Sequence, residues 1–362
     1  MRILIKFFLL ILIITSTKVS YGQRVDFDKE KENFSFEDDF TYYKGSPFSG
    51  TIVEHYDNRQ VKVKKSYSGG KLDGDWVEFK ENGQLEEKGP FNKGKKDGVW
   101  EQYNENGQLK RKGSYKEGIG EGVWEWYYKN GQLKMKGFYK DGYDDGVWVV
   151  YYENGQLEQK DSYKEGKKEG VFEFYHENGQ LKIKGSYKEG KEDGVWEQYK
   201  ENGQLECKGS NKEGKKDGVW EWYYDNGQLI GKGPYKEGEL DGVWESYHPN
   251  GQLESKVSYK IGEKDGVWEM YNEIGQLKEK GSYKEGIMDG IWEVYYENSR
   301  LEKKGSYKDG ELDGVYEWYY ENGWLGEKGS YKKGEKDGVW EFYNLNGKII
   351  TTTTYRNGVQ IN

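Results

Sequence analysis

Apolar and charged side chains alternate along most of this chain, and the alternation returns every 24 residues. The stretch 122–142, GVWEWYYKNGQLKMKGFYKDG, shows one unit. Trp124, Trp126 and Tyr128 alternate with Val123, Glu125 and Tyr127. A period of two predicts a strand with two unlike faces. Asn130-Gly131 interrupts the pattern, and that dipeptide is the strongest short hairpin signal. The chain then returns through Leu133, Met135, Gly137 and Tyr139, which alternate with Lys134, Lys136 and Phe138. A second turn, KDGYDDG at 140–146, leads into the next unit.

Placing Asn130 and Gly131 at a two-residue turn sets a register. Tyr128 opposes Leu133, Trp126 opposes Met135, Glu125 opposes Lys136, and Trp124 opposes Gly137. The register carries its own check, because Glu at the 125 position and Lys at the 136 position both recur along the chain. Opposite charges directly across a strand pair contribute about 0.2–1 kcal/mol and help fix register. Trp124 above Gly137 fits as well, since an indole covers a strand position that has no side chain. Ideal alternation puts the Trp row and the Tyr127 row on opposite faces; a bulge would bring them together.

The Trp of the unit recurs as Trp76, Trp100, Trp124, Trp148, Trp196, Trp220, Trp244, Trp268, Trp292 and Trp340, with Phe172 and Tyr316 in the same phase. The step never varies. Self-similarity at such a period is the mark of a repeat array. The expected fold is all-β: an elongated array of about 12 antiparallel β-hairpins forming a twisted open sheet or trough. At about 4.8 Å per strand, its strands would extend roughly 115 Å. The hairpins are expected over 44–348. Residues 23–43 are charged and irregular, a flexible leader or an N-terminal cap. Residues 349–362 put Thr352 and Thr353 where the repeat has Lys and Gly, and are expected to cap the other end.

Residues 1–22 are of a different kind. Arg2 and Lys6 lead into FFLLILII at 7–14, and STKVSYG follows at 16–22. This is the pattern of a secretory signal peptide cleaved after Gly22. The apolar run is too short for a permanent span. Secretion across an inner membrane, to the periplasm or beyond, is the expected location. Loss of Arg2, Lys6 and Lys18 takes the formal charge from −9 to −12. An acidic chain argues against nucleic acid as a partner. The 52 Gly and 33 Tyr, with no Ala, argue against helices. The one cysteine, Cys207, has no partner for an internal disulfide.

No set of residues converges on a reaction. His176 and His248 hold the same repeat position three units apart, so about 29 Å separates them, and they read as exposed strand-end residues. With His55 they make no metal set. The acidic turns, such as Asp141, Asp144 and Asp145, read as solvated type I or I′ turns, and the Glu row as structural. No enzyme and no cofactor is expected. The Trp row reads as the core, because a sheet so poor in aliphatic residues must bury its indoles. Beside it lies a variable column, Gln102, Trp126, Val150, Phe174, Gln198, Trp222, Ser246, Met270, Val294, Trp318 and Phe342. Gln and Ser are out of place in a sealed core, so this column is the candidate recognition surface. Other departures are Asp161 and Val257 for the strand Gly, Asn211 for Tyr, and Asn298-Ser299 for Asn-Gly. They read as scattered changes that form no common site.

The unit at 122–142 resembles the variant MORN repeat of bacterial proteins, and the resemblance covers about residues 44–360. It implies a hairpin array without catalytic apparatus, used as an interaction scaffold. Many bacterial relatives look like members of a family labelled antitoxin of a toxin–antitoxin system, which implies an antitoxin-like protein binder. Eukaryotic relatives imply contact with phospholipid or protein. The expected function is a secreted or cell-surface scaffold that binds another protein. The alternative is a binder of glycan or another envelope component, using its aromatic rows.

Overall fold

The computed structural model describes residues 22–361, so the signal peptide expected over 1–22 lies outside the described residues but for Gly22. Two compact units divide the chain. The first runs to Leu133 and adds Tyr139–Gly142; the second holds Lys134–Phe138 and Tyr143 onward. Both are built from antiparallel hairpins. In the first unit Gly98–Tyr103 pairs with Leu109–Lys116, which pairs with Ile119–Tyr127. In the second, Tyr143–Tyr151 pairs with Leu157–Lys164, and the pattern repeats to Glu335–Tyr343 with Ile349–Arg356. Among the described residues, no helix is long and apolar enough to cross a membrane.

The register expected away from the turn is the one found. Trp100 faces Gly113, Glu101 faces Lys112, and Gln102 faces Arg111. Nearer the turn it shifts by one: Tyr103, and not the following residue, faces Leu109, which leaves Lys110 as a bulge. The same shift recurs in the second unit, between Gln198 and Tyr199 and between Trp318 and Tyr319.

The cause is the turn. Asn104 N–H donates to Gln108 O at 2.8 Å, and Gly107 N–H donates to Asn104 O at 3.0 Å. Gly107 is left-handed, with φ of 79°, while Asn106 has no positive φ. The expected two-residue Asn-Gly turn is therefore a three-residue loop ending in a glycine bulge. Asn106 Oδ1 accepts the Gln108 N–H at 3.1 Å, which ties the Asn side chain to its own loop. The tight two-residue turn lies at the other connection. Lys116 faces Ile119, and both residues between them, Glu117 and Gly118, have positive φ, the signature of a type I′ turn.

Bonds between hairpins account for the rest of the repeated polar letters. In many repeats the acidic residue before the Gly-Val pair accepts a backbone N–H from the next tight turn: Asp141 N–H reaches Glu121 at 2.9 Å, and Glu189 N–H reaches Glu169 at 2.7 Å. These carboxylates hold left-handed turns in place, while Asp141 itself is exposed. His176 and His248 correct another expectation. Both are half-buried, and their Nε2 atoms lie 3.0 and 3.2 Å from the carbonyls of Tyr199 and Tyr271. Tyr152 and Tyr224 hold that repeat position in their own units, and their hydroxyls reach the equivalent carbonyls.

The first hairpin is covered on its outer edge. Gln23–Asp26 pairs in parallel with Gly50–His55. A short helix, Phe27–Glu30, and a three-stranded sheet of Phe34–Glu37, Phe40–Tyr43 and Ser46–Pro47 follow. Val25, Tyr43, Phe48 and Ile52 form its core, with Phe27, Phe34 and Tyr67 against them. An edge strand with free backbone groups invites pairing with other chains, and this segment occupies that edge.

Candidate binding face

The two faces of the ladder differ in kind. On one, most Glu of the row stand between two Lys; Glu341 has Lys328 on one side and Thr352 on the other. Glu101 is opposite Lys112 in its own hairpin and Lys88 in the preceding one, with Lys88 Nζ at 2.9 Å. Glu293 lies 2.8 Å from Lys280 and 3.6 Å from Lys304. The Tyr two residues on donates to the same carboxylate: Tyr103 to Glu101 at 2.6 Å, Tyr127 to Glu125 at 2.8 Å, and Tyr343 to Glu341 at 2.6 Å. The Tyr127 row thus stands on the Glu face, opposite the indoles. The bond from Tyr103 and the Lys88 ammonium hold the Glu101 carboxyl below its usual range. Burial, and then the bond to Glu125, push the Tyr127 phenol up to about 12. Most charges on this face are answered by a repeated neighbour.

The other face carries the indoles. Trp100, Trp124, Trp148, Trp220, Trp292 and Trp340 are buried; Trp76, Trp196, Trp244 and Trp268 are half-buried. A Cβ on Gly113 would sit 2.0 Å from the ring of Trp124, and one on Gly329 would sit 2.2 Å from Trp340. Where the preceding hairpin has a glycine, the indole covers it and not the glycine of its own hairpin as the sequence suggested; Trp76 and Trp268 meet Lys65 and Val257 there. The polar end of the ring explains the direction: Trp124 Nε1 donates to Ser114 O at 3.1 Å, and Trp220 Nε1 to Ser210 O at 2.9 Å. A buried indole N–H needs such an acceptor. The tyrosine of the returning strand wedges between successive indoles, with Tyr115 edge-on to both Trp100 and Trp124.

The variable column shares this face. Gln102, Trp126, Val150, Phe174, Gln198, Trp222, Ser246, Met270, Val294, Trp318 and Phe342 are all half-buried. They flank the indole row: Trp222 lies 5.7 Å from Trp220 and 5.1 Å from Trp244, and Phe342 lies 6.5 Å from Trp340.

Between Asp161 and Trp222 the face breaks its own pattern. Asp161, only 2 % exposed, fills the position of the glycine. It accepts from Gln159 and lies 3.4 Å from Lys168 Nζ. The aromatic that would cover it is the smaller Phe172, whose ring leans forward over Gly185 of its own hairpin. One repeat on, Asn211 replaces the wedge tyrosine and donates to Glu192 at 2.9 Å. A cleft of about 460 Å³ opens there, lined by Glu192, Trp196, Gln198, Asn211, Trp220 and Trp222. Sequence reasoning noted Asn211 but missed Glu192 and called the departures scattered. The signal was available: Glu192 stands where Lys96, Lys168, Lys216 and Lys336 stand in other units.

Away from the ladder, Asp26, Asp28 and His55 bring three ligand-type atoms within 4.8 Å. Lys29 pairs with Asp26 at 3.0 Å, and Asp28 accepts the His55 backbone N–H at 2.8 Å. The Asp28–His55 bond fastens the edge segment to the first hairpin.

Solved structures to which this chain is similar include the TcdB2-TccC3 complex, at 11 % identity over 89 % of this chain and 19 % of that one, with a TM-score of 0.17. The Photorhabdus luminescens Tc holotoxin pore matches at 11 % identity over 91 % of this chain and 20 % of that one, with a TM-score of 0.16. The chain spans about a fifth of the length of these proteins. No curated protein matches it. The MORN repeat variant matches twelve successive segments, from 72–93 to 336–357. With the hairpins, their constant period and this match covering most of its length, the chain belongs to the MORN repeat variant family.

Proposed function

We propose that this chain is a non-enzymatic scaffold that binds another protein through its indole face, and that it works outside the cytoplasm of a bacterium. One observation carries the reading. The face that buries the repeated indoles also holds a half-buried column whose residue changes from unit to unit, while the opposite face repeats the same Tyr, Glu and Lys. A uniform face offers every partner the same contacts; a varied column gives each unit its own. Specific recognition needs such variety around buried aromatic anchors. The location rests on the apolar run at 7–14 and its basic start.

Photo-crosslinking separates the two faces. A benzophenone side chain placed at Gln198 or Ser246, on the variable column, is expected to trap one partner protein in cells of the source organism. The same group at Val195 or Val219, exposed on the Glu face, is expected to trap none. Equal trapping from both faces, or trapping from the valines alone, would sink the assignment. Recovery of a mature chain starting at Gln23 from outside the cytoplasm tests the location.

A further inference from the structure

We propose that the cleft at Asn211 is a socket for a phenol ring, and that its occupant is a tyrosine side chain of the partner protein. This rests on the scaffold reading above and names what that face grips.

The shape of the occupant is given by the protein itself. Where the repeat is regular, a tyrosine of the returning strand stands edge-on between two indoles. Tyr115 lies 6.3 Å from Trp100 and 5.1 Å from Trp124, with interplanar angles of 89° and 86°. Tyr331 lies 5.4 Å from Tyr316 and 5.1 Å from Trp340, again edge-on. The corresponding pair around Asn211 is Trp196 and Trp220. Asn211 is too short to reach between them and turns instead to Glu192. What remains is a cleft walled by indoles, of about 460 Å³, enough for a phenol and the chain segment that delivers it.

The polar groups suit the same ring. In several units a lysine sits over the wedge tyrosine, as Lys96 does over Tyr115 at 5.5 Å and Lys168 over Tyr187 at 5.0 Å, while others put Leu240, Met288 or Leu312 there. At Asn211 that position holds Glu192, an acceptor, so the cleft asks for a hydrogen-bond donor. Phenols already donate to carboxylates throughout this protein, as Tyr199 does to Glu197 at 3.0 Å. A cationic guest fits less well. Lys216 already occupies the cation–π positions, 4.3 Å from the Trp220 ring and 4.8 Å from the Trp222 ring. An aromatic side chain entering a desolvated pocket is the usual anchor of a protein interface.

The test uses the whole chain and the variant Asn211→Tyr, which restores the repeat's own residue and fills the socket without unfolding pressure. Saturation-transfer NMR is run with p-cresol, with the peptide Gly-Gly-Tyr-Gly-Gly and with N-acetylglucosamine. Saturable binding of p-cresol and of the peptide is expected, with dissociation constants on the order of 1 mM. Both should weaken at least about tenfold in Asn211→Tyr, whose thermal melting is unchanged or raised. No p-cresol binding, or binding equal in the two proteins, overturns the socket. Binding of the sugar alone makes it a saccharide site and overturns the proposal. Binding of p-cresol with exclusion of the peptide overturns the partner side chain in favour of a free phenol. If the socket binds as expected but crosslinking at Gln198 traps no protein, the scaffold reading fails and the socket stands.

Discussion

Two stretches of the indole face in the second unit follow the same plan and end differently. Near the C-terminal end, Gly329 leaves room, Trp340 fills it with no exposed surface, and Tyr331 and Tyr355 brace the ring from either side. Around 161–222, Asp161 denies the room, Phe172 leans the other way over Gly185, Trp196 is left half-buried beside it, and Asn211 opens a cleft. The glycine row and the indole row are thus one structural device spread over neighbouring hairpins. A change in one strand is felt in the next, because the interior is packed without slack. Regular stretches use that device for stability. The irregular stretch gives up part of it and gains a concave, polar-lined surface.

The largest effect should come from removing the best-buried indole. Trp340→Ala is expected to cost about 3–5 kcal/mol, read from urea unfolding, because it leaves a cavity between Gly329 and two tyrosine rings. Trp196→Ala, at the half-buried site, should cost less than half as much. Equal costs would mean the two stretches are packed alike and would break the comparison.

The next test sharpens it. Phe172→Trp alone should destabilise the chain by about 1–3 kcal/mol, since the larger ring meets Asp161 behind it and Gly185 ahead of it. Asp161→Gly alone removes a buried carboxylate from Lys168 and leaves a gap. Together they rebuild the regular pair, so the double variant should recover at least about 1 kcal/mol of the summed loss. Strict additivity in denaturant melts would show that the two rows are independent.

Much of this was legible beforehand, and for a physical reason. Charges that face each other across a strand pair must recur together, so Glu101 and Lys112 revealed the register, and period-two alternation separated the indoles from the Glu ladder. The turns were less legible. Asn106-Gly107 promised a two-residue turn, but an Asn side chain also bonds its own loop, and that competing bond set the three-residue form. The direction in which Trp124 leans depends on a carbonyl in another hairpin, which no local pattern encodes. The socket was hidden for the same reason. Glu192 and Asn211 are 19 residues apart and meet only because adjacent hairpins stack.

The smallest effect belongs to the opposite face, and pH isolates it. Tyr319 donates to Glu317 at 2.8 Å. Burial first, then this bond, push its phenol up to about 12. The folded state therefore keeps the proton more tightly than the unfolded chain, whose phenol titrates near 10. A group raised in this way stabilises fully below the unfolded value and loses that contribution as pH rises through the folded one. Tyr319→Phe should cost about 0.5–1.5 kcal/mol at pH 7, measured by urea unfolding. The difference from the parent chain should shrink as pH rises above 10, by about 1.4 kcal/mol per unit, reverse before pH 12 and level off above it, since an ionised Tyr319 would face the Glu317 carboxylate. A Tyr319→Phe cost that stays constant to pH 12 would mean that neither burial nor the Glu317 carboxylate holds the phenol proton, and the ladder would then be no different in kind from the indole face.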